Sequence, residues 1–273
     1  MSDQIWRIQV GDGPLVATAI HAGSELHAET AAHISLEELE RLREEDPFTD
    51  IWTEVAPTRV VGTHSRFEVD LNRPREKAVY RTKEDAWGLK VWKDAISDEV
   101  ADRSLSRYDA FYEALGSLYA EISAKYGAFV VYDLHTYNHR RAGPDGPHAD
   151  PDLNPQVNIG TGTLPNRQKF AGVIDRFIND LAAFDFPGGK LDVRENVKFF
   201  GGQHARSTHL RYPQRACVLA IEFKKFFMDE WTGEPDMAQV EAIGDALKST
   251  VPGVLEELAK VPQSRLGYKI ADA

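Results

Sequence analysis

Apolar side chains return every third or fourth position over some stretches of this chain and run unbroken over others. Leu105, Tyr108, Phe111, Tyr112, Leu115, Leu118, Tyr119 and Ile122 keep helical spacing, and Gly127 follows as a stop. A helix is therefore predicted over 105–126. Directly after it, FVVYDL (129–134) is continuous and rich in β-branched residues, the pattern of a central strand covered on both faces. VLAIEF at 218–223 also suits a strand. Phe170, Val173, Ile174, Phe177, Ile178 and Leu181 predict a second helix. The stretch from Met237 predicts a third, with Pro252 at a break or in the first turn of another helix. Near the start, WRIQV and PLVATAI flank a GDG turn as two strands, the second reaching His21. Ile34, Leu36, Leu39 and Leu42 give a helix over 35–45 its apolar side, with Ser35 and Glu38 at capping-box spacing. RVVG (59–62) and RFEVDL (66–71) are the remaining predicted strands, ending just before Asn72.

Strands alternating with helices predict an α/β fold, a mostly parallel twisted sheet with helices on both faces. At about 150 residues per domain, 273 residues fall between one domain and two. Hydrophobic elements continue on both sides of every gap, so one domain over 1–273 is expected. The segment 138–167 resists element assignment, with five prolines and four glycines. It is expected to be a long ordered loop rather than a linker, and loops of that length inside compact domains are usually functional or disordered. No repeat of 20–50 residues recurs, which sets aside solenoids and propellers.

Charge narrows the partners. Net charge is −11, from 32 basic and 43 acidic residues, and a diffuse negative field opposes phosphate backbones and anionic lipid. Neither nucleic acid nor membrane is an expected partner, and no assembly state is assigned. An anionic small substrate would need arginines gathered locally. No apolar run approaches the roughly 20 residues of a membrane span. MSDQIWRIQV lacks the basic start and apolar stretch of a secretory leader, so a cytoplasmic location is expected. Cys217 lies in the apolar run ACVLAI and is expected to be a buried structural thiol.

Four stretches place a polar, reactive residue at the end of an apolar run: VATAIHAG, FEVDLNRP, VVYDLHTY and VLAIEFKK. Ligands of open α/β sheets bind in the crevice at the carboxyl ends of the strands. If these strands are parallel neighbours, His21, Asn72, Arg73, His135 and Glu222 meet there across 201 positions of sequence. Two imidazoles and several carboxylates suit a divalent metal such as zinc. Each has a plainer role available: a hydrogen-bonded turn for a histidine, an ion pair for Glu222, a solvated strand exit for NRPR. The Ala-Gly after His21 suggests close backbone approach, and Asp133 is placed to orient His135. A carboxylate inside VLAIEF is costly to bury unless something uses it. No GxSxG elbow is present, and GDG and GPDGP lack the lysine of a P-loop.

Six ordered motifs carry a resemblance. HAG (21–23), SRFEVDLNRP (65–74), DLHTY (133–137), NIGTG (158–162), GGQHAR (201–206) and AIEFKKFFMDE (220–230) together resemble the N-formylglutamate amidohydrolase family. DLNR, HTY and the strand-borne glutamate are more distantly similar to the zinc carboxypeptidases. The resemblance implies a phosphorylase/hydrolase-like, zinc-exopeptidase-like fold, with His21 and His135 as ligands of a divalent metal, zinc first among candidates. For the third ligand the residues alone favour Glu25, in the same loop as His21, whereas the resemblance implies Asp46 in REEDPF; Asp46 is preferred. Glu222 takes the general-base role. Arg73 and Arg206 are implied as clamps for substrate carboxylates, with Asn72 as amide partner. Arg66 and Asp70 match as supports of that loop.

The expected activity is metal-dependent hydrolysis of an N-acyl amino acid, N-formyl-L-glutamate first, within histidine degradation. One departure stands out: family members carry serine and then arginine soon after this histidine, whereas here the chain reads TYNHRR. Arg140 or Arg141 is placed to substitute. The competing expectations are a carboxypeptidase-like hydrolase of acidic or γ-glutamyl peptides and a non-catalytic protein binding acidic ligands.

Overall fold

A computed structural model describes residues 3–262, so the ends of the expected 1–273 domain lie outside it. Its sheet is built from β1 (Trp6–Gln9), β2 (Leu15–Ala19), β3 (Thr58–Gly62), β4 (Phe129–Tyr137), β5 (Val157–Gly160), β6 (Val193–Glu195) and β7 (Ala216–Lys224). Their spatial order is β1-β3-β2-β4-β7-β5-β6. Neighbours run parallel except β1 against β3 and β5 against β7. The expected α/β fold with a mostly parallel sheet is what forms. The helices are α1 (Ala28–His33), α2 (Glu38–Glu44), α3 (Thr49–Trp52), α4 (Asp98–Tyr126), α5 (Ala171–Ala183), α6 (Gln203–Arg211) and α7 (Met237–Ala259).

Alternation along β4 explains both the core and the site. Val130, Tyr132 and Leu134 enter the cluster that holds Phe177 of α5 and Ile243 of α7. Phe129 and Val131 enter the other cluster, with Phe111 and Leu115 of α4. On that second face the strand continues as Asp133 and His135, so the period of two that buries the core also delivers the polar groups. Cys217 sits wholly inside the first cluster, and burial pushes its thiol far above the ordinary value, as suits a structural thiol.

Several elements differ from the sequence reading. Helix α4 begins at Asp98, capped by the Ser97 hydroxyl, which accepts the Val100 N–H. Its polar first turns, Asp98 to Arg103, carry too little apolar periodicity to read. The capping box belongs to Glu37 and Glu40 of α2, while Ser35 donates instead to the Lys90 carbonyl. Pro252 lies inside one continuous α7, whose burial against α5 outweighs the missing N–H. Strand β5 forms within the expected loop.

RFEVDL is not a strand. Its alternation is real, because Phe67, Val69 and Leu71 are buried, but Glu68 and Asp70 are buried too. The segment pairs locally, Glu68 N–H to Ser65 and Asp70 N–H to Ala78, and spends its acidic side chains on histidines rather than on solvent.

Candidate functional site

His21 follows β2, His135 lies in β4 and Glu222 in β7, where Glu222 pairs directly with His135 across the ladder. Paired residues of neighbouring strands share a face. The turn after His21 is as tight as HAG suggests: a Cβ on Gly23 would fall 2.0 Å from the Thr63 carbonyl carbon. Asp46 arrives from the far end of α2. Its N–H donates to the His21 carbonyl at 3.0 Å. The buried Lys225 ammonium holds the preceding turn through the Arg43 and Glu45 carbonyls, at 2.6 and 2.8 Å.

Asp46 joins the two imidazoles. Its Oδ2 lies 2.9 Å from His135 Nδ1 and 3.4 Å from His21 Nδ1, and its Oδ1 accepts the Thr136 hydroxyl at 2.9 Å. One atom from each of His21, Asp46 and His135 falls within 4.8 Å of the others, and all three residues are buried. The outer nitrogens are committed elsewhere. His21 Nε2 meets Asp70 Oδ1 at 2.7 Å, and His135 Nε2 meets Asp133 Oδ1 at 3.3 Å. Asp70 is itself held by Arg66 at 2.8 Å and by the Tyr80 hydroxyl.

These contacts test whether a divalent metal fits. With its proton on Nε2, facing Asp70, His21 presents a lone pair from Nδ1, a buried atom with no hydrogen-bond partner. That lone pair faces a carboxylate oxygen, an arrangement that repels unless a cation stands between them. Burial would raise the Asp46 carboxyl, but His135 and His21 outweigh it and hold the group far below the usual carboxylate range. Burial likewise opposes a charged His135, yet Asp133 and Asp46 push it well above its ordinary value. A proton on Nδ1 thus fills the position a cation would take. The donor set fits a divalent metal, each imidazole backed by a carboxylate.

A cavity of about 240 Å³ opens beside this cluster. Glu222 lines it, and burial, helped by Asp46 and Asp133, raises its carboxyl to about 8. Four arginines also line it, in unequal states. Arg66 is consumed by Asp70, Tyr80 and the Glu44 carbonyl, as a support should be. Arg43 is held between Glu44 and Glu230, and Arg141 forks onto Glu44 at the half-exposed rim. Arg73 has only a 3.5 Å contact with Asp70 and lies over the Tyr80 and Trp87 rings. Its guanidinium is the least committed cation of the lining.

Not every expected residue reaches the cavity. Asn72 lines it, but its amide is engaged: Oδ1 accepts the His204 N–H at 3.1 Å and Nδ2 lies 3.3 Å from His135 Nε2. A Cβ on Gly202 would stand 2.2 Å from that amide, so the GGQ turn exists to seat Asn72. Arg206 is exposed on α6 and does not line the cavity, contrary to the expected clamp. Helix α6 turns His204, Ala205, Thr208 and His209 inward, which leaves Arg206 on its outer side. Glu25 is exposed and lies away from the cluster, in a separate recess with Gly23 and Thr63. Arg140 pairs with Asp229 and faces another hollow. Sequence reasoning missed Lys225, although its place in a run of buried apolar residues was a signal, since a buried lysine demands partners. No helix among the described residues is long and apolar enough to cross a membrane.

A family model described as N-formylglutamate amidohydrolase matches residues 13–228. An N-formylglutamate amidohydrolase from Ralstonia eutropha JMP134 is similar in structure, with a TM-score of 0.70 and 18% identity over 94% of this chain and 97% of that one. The gene product Atu2144 from Agrobacterium tumefaciens is similar at a TM-score of 0.60 and 20% identity, over 90% of this chain and 96% of its own. At such identities these two likenesses establish the fold. No curated protein sequence matches the chain.

Proposed function

Because this chain belongs to the N-formylglutamate amidohydrolase family, a family of amide hydrolases, we propose that it cleaves an N-acyl amino acid, N-formyl-L-glutamate first among candidates. The products would be formate and glutamate. The observation that carries this reading is the orphaned His21 Nδ1 facing Asp46 beside Glu222. His21, Asp46 and His135 are the residues that would hold a divalent cation, zinc by preference. A cation bound there supplies a Lewis acid that polarises the acyl oxygen and acidifies water.

The chain's own groups do the rest. Glu222, which a cation beside it would favour as the carboxylate, takes a proton from the attacking water and returns it to the leaving amino nitrogen, which keeps the proton count balanced across amide cleavage. Arg73, lightly held over two rings, receives a substrate carboxylate through charge-assisted hydrogen bonds. Asp70 and Asp133 keep the imidazoles in orientation, and Lys225 keeps the Asp46 turn in place. The test is formate release from N-formyl-L-glutamate by the zinc-loaded chain. No release above a Glu222→Gln control would remove this substrate assignment.

A second reading draws on the cavity mouth. Trp87 and Phe200 line it and remain 44% and 56% exposed, so apolar surface continues outward from the site. Larger acyl groups, or acidic and γ-glutamyl peptides, would use that surface. A panel of formylated amino acids against short acidic peptides separates the two readings.

A further inference from the structure

A second pair of imidazoles lies outside the cleft. The rings of His27 and His64 stack with centroids 4.4 Å apart and planes inclined by 25°. Behind them Glu68, fully buried, accepts the His27 peptide N–H at 2.8 Å on one oxygen and its Nδ1 at 2.6 Å on the other. That contact fixes the proton on Nδ1. Nε2 of His27 then carries a lone pair, and its nearest acid is Asp3 Oδ1 at 3.7 Å, beyond hydrogen-bond range. His21 and Asp46 show the same mismatch in the cleft. His64 Nδ1 pairs with the Thr63 hydroxyl at 3.0 Å, which leaves its Nε2 without a hydrogen-bond partner among the described residues.

We propose that this cluster is a second divalent-cation site, held by Nε2 of His27, Nε2 of His64 and the Asp3 carboxylate, with Glu68 orienting His27 from behind. One donor atom from each of His27, His64 and Glu68 lies within 4.8 Å of the others, so the two imidazoles and their orienting acid are already gathered. Local charge favours it. Asp3, Glu29 and Glu68 face the guanidinium groups of Arg107 and Arg103, three negative charges against two positive. Two imidazoles with carboxylate suit zinc, nickel or cobalt rather than calcium or magnesium. A cation here would staple the segment before β1 to the turn before α1 and to the extended run 63–68. Its role is structural, because neither Glu222 nor the substrate arginines line it.

The full chain, stripped with chelator, is titrated with Zn²⁺ by calorimetry, and its melting temperature is followed at each step. Two equivalents are expected, the second raising the melting temperature. His64→Gln is expected to lose one equivalent and that increment while keeping amide hydrolysis; His27→Gln is expected to do the same. His135→Ala is expected to lose the other equivalent, so failure in the cleft and failure here are separable. A single equivalent that survives both His64→Gln and His27→Gln overturns the proposal, as do two equivalents that survive them.

Discussion

The two histidine clusters start from the same short run of chain and end as different objects. In both, an acidic residue of the 66–71 segment fixes one imidazole nitrogen: Asp70 takes His21 Nε2, and Glu68 takes His27 Nδ1. In both, the other nitrogen faces a further carboxylate without a hydrogen bond. The surroundings differ. His21, Asp46 and His135 are each about 2% exposed, the two imidazoles at the carboxyl ends of strands, beside a cavity with Glu222 and Arg73. His27 and His64 are half-buried in loops, and the acid between them is shared with Arg107. An oriented imidazole is thus common to both places. A cleft and an uncommitted carboxylate are what equip one of them for the proposed chemistry.

The comparison breaks most sharply at Glu222. Glu222→Gln is expected to lower kcat by about 10²- to 10⁴-fold with the fold and metal content intact. Steady-state kinetics with metal analysis of the same sample checks it. The orienting acids come next. Asp70→Asn is expected to weaken cation binding in the cleft roughly 10- to 100-fold, whereas Glu68→Gln leaves cleft binding and turnover in place. If both substitutions act alike on turnover, the two clusters are not separate.

Arg73→Met sharpens the substrate side. Loss of a charge-assisted hydrogen bond, about 1.5–3 kcal/mol, is expected to raise KM by roughly 10- to 100-fold with kcat much less affected. Arg206→Met is expected to leave both unchanged, since that side chain is exposed away from the cavity. The smallest effect on function concerns a further imidazole, outside both clusters, that has no carboxylate bonded to it. His209 Nε2 accepts the Val218 N–H at 2.9 Å and its Nδ1 meets the Thr163 hydroxyl at 2.9 Å, and burial lowers the ring to about 4. The folded ring therefore binds a proton more weakly than the unfolded one. Its contribution to stability is full above about pH 6.5, falls between there and about pH 4, and levels off below, on the order of 3 kcal/mol in all. Denaturant unfolding across that range, flatter for His209→Gln, checks the sign.

What the sequence made legible follows from burial. Strands β4 and β7 are covered on both faces, so their apolar runs stood out, and the polar residues ending them marked His135 and Glu222. Less legible elements bury polar side chains. Helix α6 turns inward His204, Thr208 and His209, which erases the apolar period and made Arg206 look available. RFEVDL buries two carboxylates on its polar side and reads as a half-exposed strand. Strand β6 is short and only partly buried, and gives no signal. Asp46 lies between α2 and α3, and no periodicity places it, so it came from resemblance to a family. Lys225 acts through backbone carbonyls, which no pattern of side chains records.

Anomalous diffraction at the zinc edge, from crystals of the zinc-loaded chain, tests the central claim most directly. The account predicts a peak bonded by His21 Nδ1, His135 Nδ1 and an Asp46 oxygen at about 2.0–2.2 Å, with Asp70 and Asp133 still on the outer nitrogens. A peak ligated through Nε2 of either ring, or the lack of any peak between His21, Asp46 and His135, would contradict it.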